Sequence, residues 1–215
     1  MKQMFAIMLL LAVWPLRAQW DTASAPRYRL AAPAVGTLLV TGGTLFTYNP
    51  YLKSQAVQLR DAVQADGHGR LQFDNYIQYL PAVSPVALNL CGIKSRHSLF
   101  KLALLEGGSY LLGAAILNAG KHGLAIERPD CSARTSFPSG HTFTAFTGAE
   151  ILRREYGEHY PWVAVTGYAV ALLVAAMRIY NNRHWVGDVL AGAGVGILST
   201  TVVYWILDRE LSITP

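Results

Sequence analysis

Three short stretches of the chain carry side chains that could do chemistry together. They are Lys121 to Arg128 and Pro129, then Pro138-Ser139-Gly140-His141, and then Arg178 through His184 to Asp188. Between them they supply three cations, two histidines and a carboxylate. These groups are the ones needed to transfer a phosphoryl group without a metal, because fixed positive charge holds the phosphate oxygens while one group attacks phosphorus and another protonates the leaving oxygen.

The spacing within the third stretch assigns two of these roles. His184 and Asp188 are four residues apart, so on a helix they share a face and the carboxylate can accept a hydrogen bond from one imidazole nitrogen. The other nitrogen is then free to attack, which predicts His184 as the nucleophile and Asp188 as its orienting partner. Such a pair alone is more often a surface contact, and only Arg178 and the other two stretches favour an active site.

The three stretches resemble the motifs of the type 2 phosphatidic acid phosphatase and vanadium haloperoxidase superfamily, which are Lys-x6-Arg-Pro, Pro-Ser-Gly-His and Ser-Arg-x5-His-x3-Asp. The resemblance runs from about Asp74 to Leu207 and departs at Met177, where the family usually has serine. It implies that His141 protonates the leaving oxygen and that Ser139 and the Gly140 amide bind phosphate at a helix start.

The remaining motif positions are cations. Lys121, Arg128 and Arg178 would hold the phosphate oxygens, the arginines through planar two-point contacts that lysine cannot make. Two further arginines, Arg134 and Arg183, belong to no motif, and we interpret them as anchors at the membrane interface. No Cys/His or clustered carboxylate spacing is typical of a metal site, so we predict no metal and no cofactor.

Composition favours a membrane protein, because 52% of the residues are hydrophobic and only 14% are charged. Five apolar segments near the length of a tilted span follow residue 74: Tyr76 to Ile93, Leu102 to Ala119, His141 to Leu152, Trp162 to Met177, and Val189 to Leu207. The predicted fold is all-α, a multi-span transmembrane helical bundle. The net charge of +5 comes without a basic run interleaved with aromatics, so we predict no nucleic-acid partner.

The first 73 residues match no specific motif. Residues 1–18 are typical of a signal peptide, with cleavage after Ala18 or an uncleaved anchor as alternatives. Residues 19–73 then form an extracytoplasmic or interfacial segment, in which Ala34 to Phe46 is apolar but short for a span and Asn49 to Gln64 is amphipathic. The amphipathic stretch could lie on the membrane or cap the site. Residues 74–207 form the membrane domain, and residues 208–215 are a short tail.

The number of predicted spans between the motifs (their helix parity) places all three motifs on one face of the membrane. The other face receives positive residues, which normally stay in the cytoplasm: Lys94, Arg96, Lys101, Arg153, Arg154 and Arg209. The site is therefore predicted to face the periplasm from the inner membrane. The same parity separates Cys91 from Cys131, which predicts two independent thiols.

The resemblance implies a metal-independent membrane phosphatase that acts on a lipid phosphate or diphosphate through a phosphohistidine. The stretch from Arg178 to Asp188 resembles envelope phosphatases of Bacteroides-like bacteria, some of which act on lipid A, so lipid A phosphate is our first choice. Undecaprenyl diphosphate and phosphatidylglycerol phosphate come next. The alternatives are a periplasmic non-specific acid phosphatase and a vanadate haloperoxidase. The expected partners are the bilayer and its lipid phosphate, and the sequence predicts no particular oligomer.

Overall fold

The structure is a computed structural model that describes residues 25–210, with side chains from residue 31 to residue 207. The predicted signal peptide lies outside the described residues. Within them the chain forms eight helices and no strand: α1 Ala25–Tyr48, α2 Pro50–Gln64, α3 Asp74–Ile77, α4 Leu80–Leu90, α5 Leu99–Leu124, α6 Gly140–Tyr156, α7 Pro161–Tyr180 and α8 Val186–Glu210. The all-α prediction is confirmed.

Three of these helices are long and apolar enough to cross a membrane: α5, α7 and residues Val186–Leu207 of α8. The 26 residues of α5 extend about 39 Å, more than the hydrocarbon core of a bilayer. Large apolar side chains also point away from the protein, among them Leu111, which is 76% exposed, Leu173 and Trp205. An outward apolar surface on long helices is what a lipid environment requires, so the chain is a transmembrane helical bundle.

Helix α8 lies at the centre of the bundle, where α1, α5 and α6 all pack against it. Helix α1 runs antiparallel to α8 and approaches it at two glycine pairs, Gly36 with Gly194 and Gly43 with Gly187. A Cβ on Gly43 would lie 2.5 Å from the Gly187 carbonyl oxygen. Because only glycine permits this approach, Gly36 and Gly43 are the points at which the α1 backbone lies directly against α8.

The antiparallel packing corrects the expectation for residues 34–46. These residues belong to a 24-residue helix with Pro33 inside it, and this helix runs beside α8 rather than stopping short. Helix α8 begins at Val186, next to His184, so the Tyr48 end of α1 lies at the end of the bundle that holds the predicted motifs. The Ala25 end of α1 lies at the opposite end.

The expectation of one helix from Tyr76 to Ile93 is wrong. The chain instead forms the short α3, two turn residues, and the 11-residue α4. Pro81 has no N–H to donate to the preceding turn, so the helix restarts there. The other predicted segments are confirmed as α5, α6, α7 and α8, each extended by a few residues.

The end of the bundle away from the motifs is held together by buried carboxylates. Glu150 is fully buried and accepts hydrogen bonds from Arg153, Arg154 and the Tyr168 hydroxyl. Glu155 accepts hydrogen bonds from Tyr204 and the backbone N–H of His97. These contacts fix α6 to α7, α8 and the loop before α5.

The α1–α8 contact predicts contrasting effects of two neighbouring glycines. Gly43→Ala should lower the thermal unfolding midpoint in detergent, because overpacking against the α8 backbone costs about 1–3 kcal/mol. Gly42→Ala is the matched control: no atom lies within 4 Å of its added Cβ, so it should leave the midpoint unchanged or raise it slightly. Equal midpoints for the two variants would contradict the close packing.

Candidate active site

The three motifs meet at one end of the bundle, as predicted from helix parity. Lys121 lies in the last turn of α5 and Arg178 in the last turn of α7. Ser139 is the N-cap residue of α6, and His184 lies just before α8. The ends of four helices and the loops between them therefore surround one small volume.

Asp188 connects two of the motifs through both its side chain and its backbone. Its Oδ2 accepts hydrogen bonds from the Ser136 hydroxyl and from the Trp185 N–H at 2.8 Å, and it lies 3.4 Å from Nδ1 of His184. Its backbone carbonyl accepts a hydrogen bond from the Ser139 N–H at 2.9 Å. The carboxylate is fully buried, so it sets the positions of both the His184 ring and the Ser139 loop.

His184 has the environment of a nucleophile. It is 3% exposed, and with Nδ1 turned toward Asp188 its Nε2 is free to attack phosphorus. Burial lowers the pKa of the imidazole, Asp188 opposes this change, and the charges of Arg178 and Lys121 add to the lowering. The ring therefore stays neutral, with a lone pair available, at pH values where an ordinary histidine would be protonated.

Arg178 is held by an acid that the sequence did not point to. Its NH1 donates to Oδ2 of Asp74 at 2.6 Å, and both side chains are buried. The other Asp74 oxygen accepts from Nδ2 of Asn181 at 3.2 Å. This network fixes the guanidinium while leaving its buried Nε without a partner among the described residues. Asp74 lies 104 residues from Arg178, and no spacing rule could have joined them.

Lys121 and Arg128 complete the positive charge of the site. The Lys121 ammonium donates to the Thr135 carbonyl at 3.0 Å, and the buried Nε of Arg128 has no hydrogen-bond partner in the part of the chain that is described. Neither cation forms a salt bridge with a described carboxylate. A buried donor without a partner is costly, so this arrangement suits an anion that supplies the missing oxygen atoms.

The start of α6 carries His141, whose Nε2 lies 2.8 Å from Oδ1 of Asn75. Asn75 is a second residue that the sequence did not point to, and it orients the ring that would protonate the leaving oxygen. Ser139 occupies the predicted N-cap position, but its side chain caps no helix N–H and instead accepts from the Thr142 hydroxyl at 3.0 Å. Gly192 of α8 allows the Ser139 backbone to lie directly against it.

Arg183, which we interpreted as a membrane anchor, has a different place. Its NH1 donates to Oδ2 of Asp130 at 3.0 Å, and Arg70 donates to the same oxygen at 2.8 Å. Burial raises the pKa of Asp130, but hydrogen bonds from Ser132 and Arg183 outweigh it and hold the pKa at about 2. The ionised Asp130 therefore joins the loop after Arg128 to the segments before α3 and α8.

Helix α2 covers part of this end of the bundle. Gln64 donates to the Tyr180 carbonyl, His68 stacks on the Tyr180 ring, and Arg60 lies over the Trp185 ring. These contacts favour a cap packed over the site, rather than a position on the membrane surface, for this amphipathic helix.

Both cysteines are free and exposed, Cys131 at this end and Cys91 after α4, which confirms two independent thiols. Among residues 25–210, no group of three histidines, cysteines or carboxylates could hold a metal ion.

The chain is similar to proteins of one family. The PAP2 superfamily matches residues 85–212. A lipid A 1-phosphatase of Porphyromonas gingivalis is 37% identical over 173 residues, which are 80% of this chain and 38% of that protein. The chain thus spans about two fifths of that relative's length. The crystal structure of a transmembrane PAP2 type phosphatidylglycerolphosphate phosphatase from Bacillus subtilis superposes with a TM-score of 0.58 at 22% identity, covering 85% of this chain and 98% of that one.

The buried His184 predicts a measurable titration. In 15N-histidine NMR spectra of the protein in detergent, the His184 signal, assigned by its loss in His184→Gln, should remain that of neutral imidazole below pH 6.5, the ordinary midpoint. The sign follows from burial, which disfavours the charged ring and moves its protonation to lower pH. Protonation at or above pH 6.5 would contradict this environment.

Proposed function

The chain belongs to the PAP2 superfamily, and we propose that this membrane phosphatase hydrolyses the phosphate of lipid A by way of a phosphohistidine. One observation carries the reaction type: a buried, neutral His184 beside Asp188 lies near Lys121 and Arg128, two cations that form no salt bridge with a carboxylate among the described residues. A phosphate monoester satisfies those cations and meets the free imidazole nitrogen in the same place.

The course of the reaction follows from the assigned roles. The Nε2 lone pair of His184 forms a bond to phosphorus as the bond from phosphorus to the leaving oxygen breaks. His141 donates a proton to that oxygen, so a neutral alcohol leaves. Lys121, Arg128 and Arg178, with Ser139 and the Gly140 amide, hold the three equatorial oxygens. Water then attacks the phosphohistidine, which releases phosphate and restores the imidazole.

The 37% identity over 173 residues to the lipid A 1-phosphatase of Porphyromonas gingivalis supports lipid A as the first substrate. Undecaprenyl diphosphate and phosphatidylglycerol phosphate are the next candidates. The three helices that can cross a membrane argue against a soluble non-specific acid phosphatase.

The reaction can be tested on purified protein with lipid A in mixed micelles. We expect wild-type protein to release inorganic phosphate, and we expect His184→Ala to lose at least about 1,000-fold in kcat/KM, since removing the nucleophile removes the covalent route. His159→Ala, a change of an exposed histidine at the opposite end, is the matched control and should retain activity. A tenth of normal activity in His184→Ala would exclude His184 as nucleophile, and wild-type protein inactive on lipid A would exclude this substrate.

We further propose that the site faces the periplasm from the inner membrane. The opposite end of the bundle carries Lys94, Arg96 and Lys101, and the first turns of α1 add Arg27 and Arg29 to the same end. Positive segments of this kind normally stay in the cytoplasm. If α1 crosses beside α8, residue 25 then lies on the cytoplasmic side.

The two native cysteines test the orientation without any new residue. A thiol reagent that cannot cross the inner membrane, added to cells with a permeabilised outer membrane, should label the Cys91→Ser variant, which keeps Cys131 at the site end. It should not label Cys131→Ser, which keeps Cys91, until the cells are lysed. Both thiols are exposed, so burial does not explain a missing label. The reverse pattern would place the site in the cytoplasm.

A further inference from the structure

A polar cavity of about 150 Å³ lies beside the phosphate site. Its lining includes Arg178, which the motifs assign to phosphate, and five residues outside the motifs: Arg70, Gln72, Asn75, Asn181 and Arg183. We propose that this cavity binds the leaving group of the substrate and that it selects a sugar carrying the scissile phosphate. The inference rests on the proposed phosphatase reaction and deepens it by naming the class of leaving group.

The position of the cavity follows from two shared residues. Arg178 lines the cavity and holds the phosphate, so a bound substrate reaches both places at once. Asn75 lines the cavity and accepts the hydrogen bond from His141, the residue that protonates the leaving oxygen. The part of the substrate attached to that oxygen therefore extends into the cavity.

The free polar groups of the cavity match hydroxyls. Within the described residues the side-chain amide of Gln72 makes no hydrogen bond, and the Nδ2 of Asn75 makes none, because only Oδ1 bonds to His141. Arg70 and Arg183 each use one nitrogen on Asp130 and retain further N–H donors. Neutral amides that both donate and accept suit alcohol groups, which also do both.

The charges of the cavity are nearly balanced. Arg178 is paired with Asp74, which lines the cavity, and Arg70 and Arg183 share the single carboxylate of Asp130. The three arginines therefore exceed the two carboxylates by one positive charge. A second phosphate, the leaving group of a diphosphate, would also meet this charge, so the test includes a diphosphate substrate.

The test compares two lipids that differ in the leaving group. Lipid A presents a sugar, whereas the glycerol of phosphatidic acid has no free hydroxyl. We expect Gln72→Ala and Arg70→Gln to lower the ratio of kcat/KM for lipid A to kcat/KM for phosphatidic acid by at least about tenfold. Arg134→Gln is the matched control, because this exposed arginine lies at the same end but does not line the cavity; it should leave the ratio unchanged. An unchanged ratio in both cavity variants would overturn the proposal.

Two further measurements distinguish this proposal from a site for a second phosphate and from failure of lipid A as the substrate. With farnesyl diphosphate as substrate, a larger loss in Arg70→Gln than with lipid A, together with no effect of Gln72→Ala, would overturn the sugar assignment in favour of a second phosphate. If wild-type protein cleaves phosphatidic acid but not lipid A, the proposed substrate fails, and the cavity is tested with N-acetylglucosamine as inhibitor of phosphatidic acid turnover. Inhibition that weakens tenfold in Gln72→Ala supports the cavity, and equal or absent inhibition overturns it.

Discussion

The hydrogen bonds of Asp188 are the contacts on which the rest of the site depends. One buried carboxylate positions the His184 ring, accepts from Ser136 in the loop before α6, and accepts from the Trp185 N–H just before α8. A buried carboxylate that accepts hydrogen bonds from three groups is held firmly in place. Its backbone carbonyl adds the Ser139 N–H. Asp188 lies in the first turn of the central helix of the bundle, so helix packing and the proposed catalytic groups share one anchor.

Charge in the site is divided into two sets of cations with different partners. Arg178 is fixed by Asp74, and Arg70 and Arg183 are fixed by Asp130, so their guanidinium groups are held rigidly before substrate arrives. Lys121 and Arg128 have no such carboxylate among the described residues. In the proposed reaction the first set supplies geometry, and the second set supplies positive charge that would attract a phosphate. Because the donors are in place beforehand, little reorganisation is needed as charge moves in the transition state.

Features that depend on residues close together in the sequence could be predicted, whereas contacts between distant segments could not. His184 and Asp188 lie four residues apart, and apolar runs set the centres of α5, α7 and α8, so spacing alone found them. Asp74 contacts Arg178 across 104 residues, and a single sequence gives no sign of that pairing. The expectation for residues 34–46 failed for the same reason: Gly36 and Gly43 lie directly against α8, and the sequence does not show that contact. Both errors concern contacts between distant segments.

The two ends of the bundle use buried carboxylates for different purposes. Away from the site, Glu150 binds Arg153 and Arg154, while Glu155 binds Tyr204 and His97, so these acids are saturated and tie helices together. At the site end, Arg178 and Arg183 are paired in the same way, but within the described part of the chain Arg128 keeps a buried nitrogen without a partner and Asp188 keeps a buried oxygen without one. Structural networks gain stability by leaving no polar atom unsatisfied. Glu106, close to Glu155, also keeps a buried oxygen without a partner among the described residues, so an unsatisfied atom alone does not mark a site. What distinguishes the site end is the buried Nε of two arginines, Arg128 and Arg178, because these are N–H donors that the oxygens of a phosphate would satisfy.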